Sequence, residues 1–407
     1  MEHQFRKISV IGLGYIGLPT AAMFASRKVE VVGVDINQDA VDTINRGGIH
    51  IIEPDLDMVV HAAVHEGYLR ATTNPEAAEA FLIAVPTPFK GEDHEPDLSY
   101  IEAASKAIAP VLEKGNLVIL ESTSPVGATE AMANWLAAAR PDLTFPQHCG
   151  QESDIRIAHC PERVLPGKVM QELIANDRVI GGMTMRCSKL AATLYETFVV
   201  GECVLATGPR VAEMAKLTEN SFRDVNIAFA NELSVICDKL QMDVWELISL
   251  ANRHPRVNIL QPGPGVGGHC IAVDPWFIVS SAPKESRLIR MAREVNDAKP
   301  TWVLRQIVAA MPSEDYPVIF YGATFKADID DVRESPSLAI VKKAQLILGD
   351  ISVVEPNTPL GHEGFRQIDL SDARNADALH VGLVAHREFE TAKPTNGICL
   401  DFARVWE

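Results

Sequence analysis

The sequence is poor in positive charge for its size. Its 407 residues include 37 lysines and arginines against 54 aspartates and glutamates, which gives a net charge of −17. A general nucleic-acid-binding protein needs a basic face to neutralise phosphates, so the charge argues against that class. An anionic small molecule can still be bound by helix N-termini and a few local cations. We therefore expect a small-molecule ligand and no nucleic acid.

Paired cysteines and long apolar runs are also missing. The seven cysteines are odd in number and contain no CxxC, which argues against a disulfide framework or a zinc ribbon and favours a reducing cytosol. No apolar stretch is long and uniform enough to span a bilayer. The run from Ile8 to Phe24 is interrupted by three glycines and a proline and lacks a signal-peptide cleavage pattern. We expect a cytoplasmic protein with no membrane segment.

The first 35 residues predict a dinucleotide-binding unit. A short buried-strand pattern at 7–11 is followed by a GxGxxG motif, a helical run over 18–27 and a second strand at 30–34 that ends in Asp35. The glycines tighten the turn and admit a pyrophosphate at the helix N-terminus. Asp35 is placed to accept hydrogen bonds from a ribose and to repel a 2′-phosphate, so NAD is favoured over NADP. The predicted cofactor contacts in this unit are Gly12, Gly14, Tyr15, Ile16, Gly17 and Asp35.

Two further apolar runs, at 81–85 and 117–121, predict central parallel strands. The first ends in Pro86 and Thr87, and the second ends in a loop rich in hydroxyls that contains Thr123. Ligands of open α/β sheets lie at the carboxyl ends of the strands, so we expect these loops to line the cofactor or substrate site. Taken alone, the same residues are ordinary turns.

A third strand pattern, at 155–162, leads to Glu162 at its tip. This carboxylate is a candidate base, and a surface salt bridge is the alternative. The three His-Cys dipeptides, at 148–149, 159–160 and 269–270, suggest zinc only superficially. Adjacent side chains of a strand point to opposite faces, and the spacings match no familiar zinc site, so we expect no metal.

The sequence pattern becomes helical after residue 209. A continuous helical pattern over 211–239 carries Lys216 and Asn220 four residues apart on one face, with Glu213 and Asp224 close to the same stripe. A lysine and an amide on a buried helix suit the stabilisation of an oxyanion, and an exposed polar stripe is the alternative. Two more helices are expected at 244–252 and at about 285–311, the second with a kink or break at Pro300.

A glycine-rich loop at 263–275 contains Cys270 and, four residues later, Asp274. Glycines allow a substrate carbon to approach the sulfur closely, and a thiolate is a strong nucleophile. Cys270 is therefore the candidate nucleophile. The alternative is an ordinary turn that carries a small buried cysteine.

The last section, 317–407, returns to an α/β pattern. Strands are expected at 318–322, 351–354 and 379–384, with a helix at about 337–348. Lys326 and Arg333 follow the first of these strands and could grip a phosphate, or they could pair with neighbouring aspartates.

Together these motifs resemble the UDP-glucose/GDP-mannose dehydrogenase family over essentially the whole chain. The motifs that carry the resemblance are the glycine motif with Asp35, STSPVG at 122–127, CPERVLPG at 160–167, KLTEN at 216–220, GGHC at 267–270 with Asp274, and the segment 325–335. The resemblance implies an α/β fold with two Rossmann-like, doubly wound domains joined by a central helical domain that has a long connecting helix. The implied domains are an NAD-binding domain at 1–208, a helical domain with the cysteine loop at 209–311, and a UDP-binding domain at 312–407.

The resemblance also implies a reaction, a four-electron oxidation of a sugar C6 alcohol to a carboxylate with two NAD⁺ reduced in turn. Cys270 would hold the half-oxidised sugar as a thiohemiacetal and then as a thioester. The implied catalytic set is Cys270, Lys216, Asn220, Asp274, Glu162 and Thr123, with the general base left open among Lys216, Asp274 and Glu162. The implied substrate contacts are Glu162, Arg163, Val164, Lys216, Asn220, Arg256, Gly267 and Lys326, and Arg333 is assigned to the cofactor.

The substrate expectation is a UDP-N-acetylhexosamine, with UDP-N-acetyl-D-mannosamine first. It rests on the segments 161–167 and 252–258, which resemble members of the N-acetylhexosamine type. UDP-glucose enzymes usually have a second glutamate four residues after the first, and here that position is Pro166. UDP-N-acetylglucosamine, UDP-glucose and GDP-mannose are the competing substrates. The implied role is the synthesis of bacterial surface polysaccharides such as the enterobacterial common antigen.

Three further expectations complete this interpretation. The long buried helix and the resemblance imply a homodimer, in which Arg256 serves its own site or a neighbour's. A two-electron dehydrogenase of the hydroxyacid type is the rival enzyme, although it has no use for Cys270. A binding protein that responds to NAD or nucleotides without catalysis is the rival outside enzymes.

Overall fold

The computed structural model describes residues 5–51, 53–91, 94–165, 167–268, 270–360 and 363–406. Two positions with a part in the sequence argument, Pro166 and His269, lie outside the described residues. The chain divides into two compact units, Met1–Thr218 and Glu219–Glu407. The three domain boundaries expected from the sequence stay a prediction.

The first unit is built on an eight-stranded sheet with the order β10-β9-β8-β7-β4-β1-β2-β3, and a small hairpin of β5 and β6 lies outside it. Neighbouring strands are parallel except that β9 runs antiparallel to β8. The strands of this unit are β1 (Lys7–Ile11), β2 (Glu30–Val34), β3 (Leu69–Thr72), β4 (Ala80–Ile83), β5 (Phe89–Lys90), β6 (Glu95–Pro96), β7 (Leu117–Leu120), β8 (Arg156–His159), β9 (Arg178–Gly182) and β10 (Cys203–Leu205).

Helices cover both faces of this sheet, which is why its central strands are apolar along their whole length. One face packs against α1, α3, α7 and α8, and the other packs against α4 and α5. The helices of this unit are α1 (Gly17–Ser26), α2 (Gln38–Asn45), α3 (Leu56–His65), α4 (Ser99–Ile108), α5 (Ala128–Ala139), α6 (Pro146–Cys149), α7 (Val169–Ala175) and α8 (Met185–Tyr195).

Helix α9 (Pro209–Lys239) begins in the first unit and continues into the second. The helices that follow are α10 (Val244–Ala251), α11 (Asp274–Ser281), α12 (Arg287–Ala310), α13 (Pro336–Leu348) and α14 (Leu370–Asn375). Side-chain caps mark the starts of α10 and α13, where Asp243 and Ser335 accept hydrogen bonds from backbone N–H groups of the first turn.

A second parallel sheet, with the order β13-β12-β11-β14-β15, occupies the end of the chain. Its strands are β11 (Val318–Tyr321), β12 (Ile351–Val354), β13 (Arg366–Gln367), β14 (Leu379–Gly382) and β15 (Ile398–Asp401). Helices α12 and α13 bury apolar side chains on one face of it. Both sheets reverse strand order at their first strand, as doubly wound α/β sheets do.

The predicted fold class is confirmed, and the differences concern where elements end. The strand predicted over 155–162 stops at His159, because Pro161 follows two residues later and lacks the N–H that a strand ladder needs. The strand predicted over 81–85 stops at Ile83, and the carbonyl of Val85 accepts the Ser122 hydroxyl instead of a strand partner.

Of the kink or break predicted at Pro300, the break was wrong, because helix α12 is continuous there, and the kink stays a prediction. The ring of Pro300 lies beside Gly265 of the glycine-rich loop. Every helix in the described ranges is too short or too polar for a membrane span.

The end of β8 makes the stability of the first unit sensitive to acid. Burial lowers the pKa of His159 to about 3, and neither ring nitrogen has a hydrogen-bond partner among the described residues. An unfolded histidine titrates near 6.5, so between that pH and about 3 the unfolded chain binds the extra proton and is favoured.

We therefore expect His159→Leu to be less acid-sensitive than the wild type. From pH 7 to pH 5 the wild type should lose about 2 kcal/mol more of its free energy of unfolding than the variant does. Urea unfolding at the two pH values measures this difference. An identical pH dependence in the two proteins would contradict it.

Candidate active site

The glycine motif forms a turn whose own packing requires two of its three glycines. Gly12 has φ +90°, and a Cβ there would lie 2.6 Å from the carbonyl oxygen of Ala84. A Cβ on Gly17 would lie 1.8 Å from the carbonyl oxygen of Gly12. A Cβ on Gly14 would meet no described atom within 4 Å, so that side of the turn is open. The open side and the N-terminus of α1 fit a pyrophosphate, and Tyr15 and Ile16 lie on the same turn.

Asp35 ties this turn to the end of β2. Its carboxylate accepts the backbone N–H of Leu13 at 2.9 Å and that of Asn37 at 2.9 Å. The side chain is half-buried, at the position where dinucleotide folds bind a ribose. Asp35 therefore stabilises the turn, in addition to being placed for the expected ribose contact. The spacing of the motif alone did not predict that stabilising role.

Two polar loops follow neighbouring strands at the carboxyl edge of the sheet. Pro86 and Thr87 come after β4, and Thr123 comes after β7, which pairs with β4. The two loops are joined by the Ser122 hydroxyl, which donates to the carbonyl of Val85 at 2.7 Å. The first unit thus brings together the residues that the sequence assigned separately to this edge.

Glu162 lies at the same edge and is buried in an ion pair. Its Oε2 accepts from Nη1 of Arg178 at 2.6 Å, and its Oε1 accepts from the backbone N–H of Arg163 at 2.6 Å. Both partners of the ion pair are buried, so the surface salt bridge considered from the sequence was wrong. Arg178 was missed, because nothing in the local sequence links it to Glu162. The Arg163 guanidinium donates to the carbonyl of Asp177, and Val164 packs against the core beneath.

The first turns of α9 are fixed to the first unit by Glu213. This buried carboxylate accepts from the backbone N–H of Gly127 at 2.6 Å and from the N–H and the hydroxyl of Thr129 at 2.8 and 2.6 Å. Burial raises the pKa of Glu213, and these three donors oppose that rise. The carboxylate lies at the N-terminus of α5, where a negative charge is favourable. Lys216 follows three residues later on the same helix and is half-buried.

In the second unit, α9 holds the segment that contains the cysteine. The Asn220 amide donates to the Asp274 carboxylate at 2.5 Å, and both side chains are buried. The backbone N–H of Asp274 in turn donates to the carbonyl of Cys270 at 2.8 Å. The exposed polar stripe considered from the sequence was therefore wrong for Asn220. It was also wrong for Asp224, which is fully buried.

Cys270 is one of three exposed cysteines, with Cys149 and Cys399, and of these it alone lies in the glycine-rich loop. Cys160, Cys187 and Cys237 are buried. Burial raises the pKa of the Cys160 thiol to about 12, which keeps that thiol protonated and unreactive. The small buried cysteine considered as the alternative for Cys270 was wrong.

The glycines before Cys270 permit close packing against the segment that follows β11. A Cβ on Gly267 would lie 2.5 Å from the carbonyl oxygen of Glu334, 2.7 Å from Cδ of Pro336 and 2.9 Å from Cβ of Phe325. The loop is also held at its start, where the N–H of Gly263 donates to the Asn231 side chain at 2.9 Å. A cavity of about 310 Å³ is lined by Val266 of the loop and by Glu334 and Pro336 of the facing segment.

The cations assigned to ligands lie on exposed segments of the second unit. Arg333 pairs with Asp331, with its Nη2 2.6 Å from the carboxylate, as the alternative interpretation allowed. Lys326 is exposed seven residues earlier on the same segment. Arg256 is exposed in the loop after α10. In the part of the chain that the structure describes, no group of three or more His, Cys, Asp or Glu side chains is arranged to hold a metal ion.

Comparisons with known proteins cover all of this architecture. Family models described as UDP-glucose/GDP-mannose dehydrogenase match the chain as an NAD-binding domain at residues 6–199, a central domain at 210–298 and a UDP-binding domain at 319–406. Among solved structures, a UDP-D-ManNAc dehydrogenase from Pyrococcus horikoshii is similar, with a TM-score of 0.88 and 37% identity over 98% of this chain and 96% of that one. The UDP-N-acetyl-mannosamine dehydrogenase Cap5O from Staphylococcus aureus has a TM-score of 0.83 and 41% identity over the same shares.

Two curated relatives are similar at higher identity. An NDP-N-acetyl-D-galactosaminuronic acid dehydrogenase from Ralstonia nicotianae is 62% identical over all of this chain and 97% of the relative. A UDP-N-acetyl-D-mannosamine dehydrogenase from Campylobacter jejuni is 63% identical over 95% of this chain and 97% of the relative. The three matched domains and these identities agree with the residues described above, and the chain belongs to the UDP-glucose/GDP-mannose dehydrogenase family.

Proposed function

We propose that this protein oxidises the C6 hydroxyl of UDP-N-acetyl-D-mannosamine to the carboxylate in two NAD⁺-dependent steps. The observation that carries the proposal is the exposed Cys270, held four residues before a buried Asp274 that Asn220 binds. A dehydrogenase that removes two electrons has no need of a nucleophile. One that removes four must hold the aldehyde, and a thiol does so covalently.

Bound NAD⁺ supplies the hydride acceptor for both oxidations. The residues that would hold it are the glycine motif with Tyr15 and Ile16, Asp35 at the ribose, and Pro86, Thr87 and Thr123 at the edge of the sheet, with Arg333 assigned from the second unit. The open side of Gly14 and the two hydrogen bonds that orient Asp35 support this assignment.

The sulfur of Cys270 then adds to the aldehyde carbon and forms a thiohemiacetal. Its oxyanion needs donors, and Lys216 and Asn220 supply them in this proposal. An asparagine amide has two N–H groups, so Asn220 can keep its bond to Asp274 and still donate to substrate. The proton of the C6 hydroxyl goes to Lys216, Asp274 or Glu162, or to a water that they hold.

The second oxidation converts the thiohemiacetal to a thioester on Cys270, and hydrolysis of that thioester completes the reaction. We assign Thr123, Glu162 and Asp274 to the water that attacks the acyl carbon. Each oxygen of Glu162 accepts one hydrogen bond from the protein and has a further lone pair for a water. The remaining substrate contacts assigned here are Arg163, Val164, Arg256, Gly267 and Lys326, with Arg256 in its own subunit or in a partner.

One alternative substrate has support of its own. The Ralstonia relative is named for NDP-N-acetyl-D-galactosaminuronic acid and matches as closely as the mannosamine enzyme from Campylobacter jejuni does. A nucleotide sugar of the galacto configuration is therefore the second candidate. Among solved structures, the two mannosamine enzymes are 37% and 41% identical to this chain, against 28% for an NDP-N-acetyl-D-galactosaminuronic acid dehydrogenase from Methanosarcina mazei, and this difference favours the mannosamine substrate.

The proposed setting is the cytoplasm, because the proposed nucleophile has to stay a reduced thiol. The proposed assembly is a homodimer. Phe222, Phe229 and Ile236 repeat every seven residues along α9 and are 68%, 52% and 44% exposed. Large apolar side chains in such a stripe are typical of a helix that packs against another subunit.

The yield of NADH tests the function. With UDP-N-acetyl-D-mannosamine limiting, the wild type should form two NADH per sugar, and Cys270→Ala should form no carboxylate. The measurement is absorbance at 340 nm, with the product identified by mass spectrometry, across a panel of mannosamine, galactosamine, glucosamine and glucose nucleotides. A yield of one NADH with free aldehyde, or carboxylate from the Cys270→Ala variant, would overturn the proposal.

Cofactor choice tests the role of Asp35. Asp35→Asn removes the charge that repels a 2′-phosphate and one backbone acceptor of the turn, so the preference for NAD⁺ over NADP⁺ should fall by about tenfold. The ratio of kcat/KM for the two cofactors measures it, with Asp39→Asn on the exposed face of α2 as the matched control. An unchanged ratio in the Asp35 variant would contradict this role.

Light scattering tests the dimer. The wild type should have twice the mass of one chain, and Phe229→Glu should have the mass of one, because a charge cannot be buried cheaply in an apolar contact. Met58→Glu, at an exposed apolar position on α3, is the control that should stay dimeric. A monomeric wild type, or a Phe229→Glu variant that stays dimeric, would rule the stripe out as the contact.

A further inference from the structure

A cluster of buried charges lies behind Glu162 in the first unit. Arg178 and Glu121 are almost completely inaccessible to solvent, and the buried Tyr195 of α8 is the third member of the cluster. Neither Arg178 nor Glu121 has a place in the reaction derived above. Buried charges are expensive unless they are paired, and apolar residues of similar volume are often as stable. A task other than stability is therefore worth seeking for them.

The topology of the sheet places the arginine there. Glu121 follows β7 and Glu162 follows β8, so both carboxylates lie at the carboxyl edge of the parallel strands. Strand β9 runs the opposite way, with His159 paired to Gly181. Continuing that antiparallel register sets Arg178, the first residue of β9, opposite Glu162. The reversal of direction between β8 and β9 thus brings a guanidinium to the edge where Glu121 and Glu162 lie.

The contacts hold the Glu162 carboxylate from two sides. Nη1 of Arg178 donates to Oε2 at 2.6 Å while a backbone N–H donates to Oε1 at 2.6 Å. The same Nη1 lies 3.8 Å from Oε1 of Glu121, which accepts the Tyr195 hydroxyl at 2.9 Å. The guanidinium also lies over the Tyr195 ring, 4.9 Å from its centroid. Charge-assisted bonds of this kind fix direction as well as distance.

We propose that Arg178 and Glu121 are positioning residues for hydrolysis of the thioester: Arg178 fixes the direction of the Glu162 carboxylate, and Glu121 holds Arg178 from the other side. This inference rests on the proposed function, in which Glu162 directs the attacking water.

The step itself involves no change of oxidation state. The oxygen of the water forms a bond to the acyl carbon, and the bond from that carbon to the sulfur of Cys270 breaks. The sulfur leaves as a thiolate. One proton of the water passes to Glu162, and the other is released when the product acid ionises. In this inference Glu162 acts at hydrolysis, and Lys216 or Asp274 takes the proton of the C6 hydroxyl. Misdirecting the Glu162 carboxylate therefore slows hydrolysis and leaves both oxidations untouched.

The charges around Glu121 add a dependence on pH. Burial raises the pKa of Glu121 to about 7. The positive charge of Arg178 opposes this rise, and the negative charge of Glu162 adds to it. The other titratable side chains that face Glu121 are those of Cys160, directly after β8, and Tyr195 on α8. Burial raises the pKa of Cys160 to about 12 and that of Tyr195 well above its ordinary value, so both stay protonated near neutrality. When Glu121 ionises, its added negative charge favours proton transfer from the water to Glu162.

The first test is stopped-flow formation of NADH with UDP-N-acetyl-D-mannosamine and NAD⁺ in excess. Arg178→Lys keeps the charge but loses the planar fork. We expect a burst of two NADH per active site at close to the wild-type rate, followed by steady-state turnover slowed about 10- to 100-fold as hydrolysis becomes limiting. Arg156→Lys, a buried arginine at the opposite end of β8 that donates to Ser153, is the matched control and should keep both phases.

Two results in that assay would overturn the inference. A steady state equal to the wild type would show that Arg178 directs nothing, and equal slowing of burst and steady state would show a merely structural role. Failure of the proposed function is distinguishable, because the wild type itself would then yield no NADH or one per sugar.

The second test is the pH profile of kcat in Glu121→Gln, which keeps the shape of the side chain. The wild-type kcat should rise as pH passes through about 7, where Glu121 ionises, and the variant should lack that rise with its KM for the sugar nucleotide within about twofold of wild type. The same rise in both proteins, or none in the wild type, would contradict the part given to Glu121.

Discussion

The hydrogen bond from Asn220 to Asp274 is the interaction on which the arrangement of the second unit depends. It joins helix α9 to the first residue of α11, and the N–H of Asp274 reaches back to the carbonyl of Cys270. Because both side chains are buried, breaking this bond would remove a hydrogen-bond donor from a carboxylate in the interior, which is costly. The thiol is therefore presented on a turn that the long helix holds in place, while the sulfur itself stays exposed.

In the first unit, too, buried carboxylates need hydrogen-bond donors, and there the topology of the sheet brings the donors to them. Parallel strands bring the polar loops of several strands to one edge, and that edge collects Glu121 and Glu162 close together. The reversal of direction between β8 and β9 supplies Arg178, whose Nη1 lies 2.6 Å from Glu162 and 3.8 Å from Glu121. Glu213 follows the same pattern and takes its donors from the start of α5. In each case a buried carboxylate fixes an element that carries a proposed functional side chain.

Local patterns in the sequence were enough to predict the fold class and the glycine motif. Short apolar runs that end in glycine or hydroxyl residues identify buried parallel strands, and the four-residue spacing of Lys216 and Asn220 is readable on any helix. The pairing of Glu162 with Arg178 was beyond reach, because it depends on the antiparallel register of β9. The exposure of Cys270 and the continuity of α12 through Pro300 also depend on tertiary packing, which periodicity does not encode.

The central claim is that the sulfur of Cys270 carries the sugar between its two oxidations. The most direct measurement is peptide mass spectrometry of Glu162→Gln, quenched with acid during turnover of UDP-N-acetyl-D-mannosamine with NAD⁺. The account predicts that the peptide containing Cys270 gains the mass of the acyl form of the nucleotide sugar. An unmodified Cys270 peptide, or an adduct on another cysteine, would contradict it.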